Sequence, residues 1–190
     1  MIYGMRRDYF ELEVTNIDWV GDDGDPQQPL VEIEFSGPGE LLRDRLSDAE
    51  GEPLTGEDVD VAFRLQGDLE ADAAAPGVVS VTNRITGDFV LELNETADDV
   101  LQFIGAASAY GDVVERNSTG SEGRSPSGNR ASPGDNQASP NETVEDGGYR
   151  VVVSIDGEQL ADYEKDTFLV YDADGEFLRE KSLIPSGVEL

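Results

Sequence analysis

Carboxylates are the side chains best supplied for chemistry. The 190 residues hold 42 Asp and Glu against 13 Lys and Arg, with no His and no Cys. Without imidazole there is no His general base and no usual zinc or haem site. Without thiols there is no disulfide, Cys nucleophile or iron–sulfur cluster. Carboxylate acid–base work and hard-cation binding remain. Two acidic groupings have suggestive spacing. Asp172-x-Asp174-Gly175-Glu176 has the opening of a calcium loop. Such a loop needs about twelve residues and a closing bidentate carboxylate. Phe177 and Leu178 interrupt it, so we read a tight hairpin turn. Asp22, Asp23 and Asp25 form the second grouping, which composition alone explains in so acidic a chain. No phosphate-cradling glycine loop or dinucleotide fingerprint is present. We therefore expect no catalytic residue, no metal and no cofactor. The function expected is non-enzymatic binding, with a carboxylate-based, metal-dependent enzyme as the alternative.

Binding residues are sought among the aromatic and positive side chains. Trp19 and Tyr171 are aromatic anchors of the kind that dominate interfaces. Arg84, beside a hairpin, is one of few positive charges and suits an anionic group. These three are the candidate interaction residues, for a protein partner or a second copy of the chain.

The net charge is −29, which disfavours nucleic-acid phosphates and anionic lipid as partners. The basic residues are eleven Arg and only two Lys, Lys165 and Lys181. Residues 1–114 hold 6 basic and 26 acidic residues, net −20, and residues 149–190 hold 4 and 10, net −6. The charge thus belongs to the whole surface and not to a tail. Leu, Ile, Val and Phe number 48 of 190, above the roughly 20% that marks disorder, so there is material for a core. This combination reads as a protein of concentrated salt. There the Debye length falls to about 3 Å and carboxylates repel each other little. No apolar run reaches the roughly 20 residues of a membrane helix. The opening Met1–Asp8 has no apolar export stretch, so we expect a cytoplasmic protein with no membrane contact.

Alternation of apolar and polar residues sets out the elements. A strand over 8–20 places Phe10, Leu12 and Val14 inward and slips phase near Thr15-Asn16. Leu30–Phe35 is a second strand, pairing with the first as a hairpin. Leu41, Leu42 and Leu46 suit a short helix, and Val59–Leu65 is a third strand. Val79, Val81 and Ile85 face Phe89, Leu91 and Leu93 across a turn at Gly87. Thr96 caps a helix that runs to Tyr110 and stops at Gly111. Residues 115–148 are a disordered linker, with 19 of 34 positions Gly, Ser, Pro or Asn. Strands at 149–155, 167–171 and 177–184 follow. Three strands are too few for a core of their own, so they dock on residues 1–114 or on another copy.

Three blocks carry a family resemblance: Arg6–Val14, Val81–Phe89 and the run from Asp156 to Leu190. Together they resemble an uncharacterised family of small acidic halophilic archaeal proteins. The resemblance spans both ends and not the linker, and implies no activity or site residue. The fold class expected is α+β: a mainly antiparallel sheet with one or two covering helices, plus a C-terminal three-stranded β segment after the linker.

Overall fold

Acidic residues alternating with Val, Ile, Leu and Phe leave one apolar edge per segment, and each such segment pairs into a sheet. The computed structural model describes residues 6–22, 24–119 and 148–185, with eight strands and two α-helices among them. The strands are β1 (Phe10–Thr15), β2 (Leu30–Phe35), β3 (Val59–Leu65), β4 (Pro76–Asn83), β5 (Phe89–Thr96), β6 (Tyr149–Ile155), β7 (Glu158–Lys165) and β8 (Leu169–Tyr171). Helix α1 (Gly39–Arg45) joins β2 to β3, and α2 (Ala97–Thr119) follows β5. The class is α+β, built on two four-stranded sheets. The first has the order β1-β2-β6-β7 and the second β5-β4-β3-β8. Their apolar faces form one core.

Consecutive strands pair antiparallel, β1 with β2, β3 with β4, β4 with β5 and β6 with β7. The two parallel pairs, β2 with β6 and β3 with β8, stitch the C-terminal strands into both sheets. Tyr149, Val151, Val153 and Ile155 of β6 are buried. A further tie is Lys165 on β7, whose buried ammonium donates to the carbonyls of Gly56 at 2.7 Å and Val59 at 2.6 Å, at the entrance to β3. Burial lowers its pKa, while Asp60 and Asp166 pull the other way. Two carbonyl acceptors and two nearby carboxylates are what hold a charge in such a place.

Several elements differ from the sequence reading. Helix α2 does not stop at Gly111. That glycine takes no left-handed turn, and the helix runs on through residues 115–119, the first five positions of the expected linker. Residues 120–147, the rest of that segment up to Gly148, lie outside the described residues. Strand β7 was not expected. It is reached by the Asp156-Gly157 turn, where both residues have positive φ, 50° and 78°. Phe177–Ile184 is not a strand. Phe177 bridges Tyr171 and Leu183 bridges Phe168, but the charged Arg179–Lys181 between them form a 3₁₀ turn. Ile85 is 74% exposed because β4 ends at Asn83, whose side chain accepts from the N–H groups of Ile85 and Thr86. A register shift after Val81 buries Val90 and leaves Phe89 52% exposed. The strand expected over 8–20 is shorter: Arg7–Tyr9 form a 3₁₀ turn, β1 ends at Thr15, and at Asn16, with φ 63°, the chain leaves the strand for a turn instead of continuing past a bulge. No helix among the described residues is long and apolar enough to cross a membrane.

Candidate functional site

Stacked sheets lie about 10 Å apart, and their inward side chains must fill that gap. At one end they do: Phe10, Phe35, Phe63, Leu42 and Leu54 are buried there or against that packing. Around β4 and the middle of β2, β3 and β6, the inward positions are Val31, Val61, Val79, Val81 and Val151. Valine reaches only one branch from the backbone, so facing valines leave space between the sheets. The result is a cavity of about 300 Å³, lined also by Leu12, Val14, Ile17 and Ile33 from the first sheet's side. That is the low end of the range for small-molecule sites, about 300–1,000 Å³.

Helix α2 and an aromatic cluster form the rest of the wall. Val100 and Phe103 face the cavity from α2, with Tyr149 and Phe168 behind them. Phe103 meets Tyr149 edge-on at 5.0 Å and Phe168 at 5.8 Å between ring centres. The Tyr149 hydroxyl donates to the Thr167 carbonyl at 2.7 Å. Burial pushes the Tyr149 phenol well above its ordinary pKa, with Asp166 and Asp60 adding to the shift, so this wall is uncharged.

The half-buried and exposed members of the lining mark the mouth. They are Leu12, Val14 and Ile17 on the β1 side, and Glu95, Asp99 and Gln102 at the start of α2. Strands β1 and β5 are each the edge of their sheet, so the cavity opens between two edges. Arg7 links those edges, with its guanidinium 3.6 Å from Glu92 and donating to the Asn94 side chain at 3.4 Å. At the rim, the Thr96 hydroxyl donates to Asp99 at 2.6 Å and its backbone N–H donates to Glu95 at 2.9 Å. Partial burial raises the pKa of the Glu95 carboxyl. The Thr96 N–H opposes that shift, and neighbouring Asp99 adds to it. The site therefore offers an apolar interior and hydrogen-bond acceptors at its entrance.

The three interaction residues chosen from sequence lie elsewhere. Trp19 is half-buried in the turn after β1, its indole N–H donating to the Asn16 carbonyl at 2.8 Å. Arg84 is exposed in the β4–β5 turn, 3.4 Å from Asp60 and donating to the Glu57 carbonyl at 3.2 Å. Tyr171 is on β8 with its ring 5.7 Å from Phe177. They sit on three separate elements, and none lines the cavity. Of the acidic groupings, Asp172 spends its carboxylate on the N–H groups of Asp174 and Glu176, as a turn residue does. Asp23 lies outside the described residues. No group of three or more acidic side chains among the described residues is placed to hold a metal ion.

Sequence reasoning missed the cavity because each valine reads as ordinary strand patterning. The signal available was the run of inward valines in strands that also lack a Phe or Leu at those positions. Which strands share a sheet is set by the parallel pairings of β2 with β6 and β3 with β8, which local patterning does not show.

No curated protein and no solved structure matches the chain. One family pattern matches residues 5–121 and 135–190, passing over 122–134 within the segment read as linker. With both sheets and both helices inside the match, the chain belongs to DUF5793, a family of unknown function.

Proposed function

We propose that this is a non-enzymatic binding protein of a salt-rich cytoplasm, which takes a small apolar ligand into the cavity between its sheets. The observation that carries the reading is the cavity itself, about 300 Å³ of space walled by valines and aromatic rings and open at one side. At about 30 Å³ per water-sized unit it has room for about ten non-hydrogen atoms. Adaptation to salt rests on the net charge of −29 with only two lysines. A protein-contact reading draws on Ile85, 74% exposed beside Arg84 in the β4–β5 turn, and on Phe89, 52% exposed at the start of β5.

Calorimetric titration with 1-octanol in molar KCl tests the cavity reading. Eight carbons at about 0.8 kcal/mol each give roughly 6 kcal/mol of gross transfer energy. A Kd of about 1 mM corresponds to about 4.1 kcal/mol, so millimolar binding requires the costs of association to offset no more than about 2 kcal/mol of that gain. Val81→Phe places a ring in the space that octanol would take, because Val81 is 2% exposed and lines the cavity. We expect saturable one-to-one binding by the wild type and at least about ten-fold weaker binding by the variant. Equal binding by both would place the ligand elsewhere, and absence of saturable binding would remove the reading.

A further inference from the structure

We infer that the ligand of this cavity is an amphiphilic cation, an ammonium head on an apolar body of about ten non-hydrogen atoms. The inference rests on the cavity reading and specifies its ligand. The apolar lining fixes the body. The head is fixed by the polar members of the mouth, Glu95, Asp99 and Gln102, all able to accept hydrogen bonds. Among the described residues no Lys or Arg nitrogen lies within 4 Å of Glu95 or Asp99. The arginine nearest in the sheet architecture, Arg7, is engaged with Glu92 and Asn94. Among the described residues the entrance thus holds two carboxylates with no cation paired to either, one of them already half-buried beside the apolar wall.

Three head groups behave differently there. A carboxylate or phosphate head would bring a third negative charge to a partly desolvated place. A hydroxyl could donate one hydrogen bond but would leave the charges unbalanced. An ammonium donates up to three hydrogen bonds and neutralises charge in the same step, and charge-assisted bonds are the stronger kind. Molar salt screens the exposed Asp99, but the half-buried Glu95 keeps the preference, because partly buried charges are screened much less than exposed ones. The tail then lies against Val31, Val79, Val81 and Val151, in the direction the mouth opens.

The test compares three probes of one tail length on the full chain in molar KCl at neutral pH: n-octylammonium, 1-octanol and octanoate. We expect n-octylammonium to bind at least about ten-fold more tightly than octanoate, with octanol between them. The variant Glu95→Gln, Asp99→Asn keeps the acceptor oxygens that Thr96 uses at both positions. It should bind octanol as the wild type does and lose the preference for the ammonium. If octanol or octanoate binds wild type as tightly as n-octylammonium, the head-group inference fails while the cavity reading stands. If none of the three binds, both fail. The wild-type comparison alone decides the matter if the variant does not fold.

Discussion

Transfer from molar KCl to about 50 mM salt should unfold the protein, with loss of its circular dichroism signal and a fall of tens of degrees in Tm. At that ionic strength the Debye length exceeds 10 Å, and exposed carboxylates across the molecule repel one another. The net charge of −29 makes this a global effect. The fold adds a local one. On the outer face of the first sheet, Glu11 lies directly opposite Glu34, and Glu13 directly opposite Glu32. Like charges at directly opposed cross-strand positions, about 4.5–5.5 Å apart between Cβ atoms, destabilise a sheet. Only a Debye length near 3 Å screens that separation. Glu32→Lys should therefore stabilise the protein by about 0.2–1 kcal/mol at the lowest salt at which both chains still fold, and change little in molar KCl. A melting curve unchanged between the two salts would contradict the salt-adapted reading.

Removal of residues 148–190 should leave a chain that does not fold at any salt concentration. Those residues supply β6 and β7, half of the first sheet, and β8 at the edge of the second. Tyr149, Val151, Val153, Tyr163, Phe168 and Val170 are all buried in the common core. Fully burying even two such side chains, at about 1.5–3 kcal/mol each, is a large part of the about 5–15 kcal/mol that holds a domain together. A single change makes the same point in the full chain. Val153→Asp places a carboxylate at a position 1% exposed, between β2 and β7, with no partner to offset its desolvation. It should abolish cooperative melting. A truncated chain that is monomeric and melts cooperatively would show that the C-terminal strands are an independent module.

The strands were legible where alternation is strict. Val59-Asp60-Val61-Ala62-Phe63-Arg64-Leu65 could hardly be read otherwise, and it forms β3 with Val59, Val61, Phe63 and Leu65 buried. The cap of α2 was legible from Thr96 and Asp99, which do bond to each other. β7 was not, because Glu158–Lys165 buries only Tyr163 and Lys165 and so lacks an apolar stripe. Its Asp156-Gly157 turn was the signal to weigh instead, since Asp-Gly matches the backbone that a two-residue hairpin needs. Gly111 misled because a glycine inside a helix costs only about 1 kcal/mol, which the flanking helix absorbs. The division into two sheets, and with it the cavity, was beyond local patterning. Both depend on the parallel pairings of β2 with β6 and β3 with β8, between residues far apart in the chain.

The most direct measurement is methyl NMR of valine-labelled protein in molar KCl, titrated with n-octylammonium. The cavity reading predicts saturable shifts in Val31, Val61, Val79, Val81, Val100 and Val151, which line the space. Val59 and Val90, equally buried but outside the lining, should stay where they are. Shifts spread evenly over all the valines, or confined to residues outside the lining such as Val20 and Val78, would contradict it.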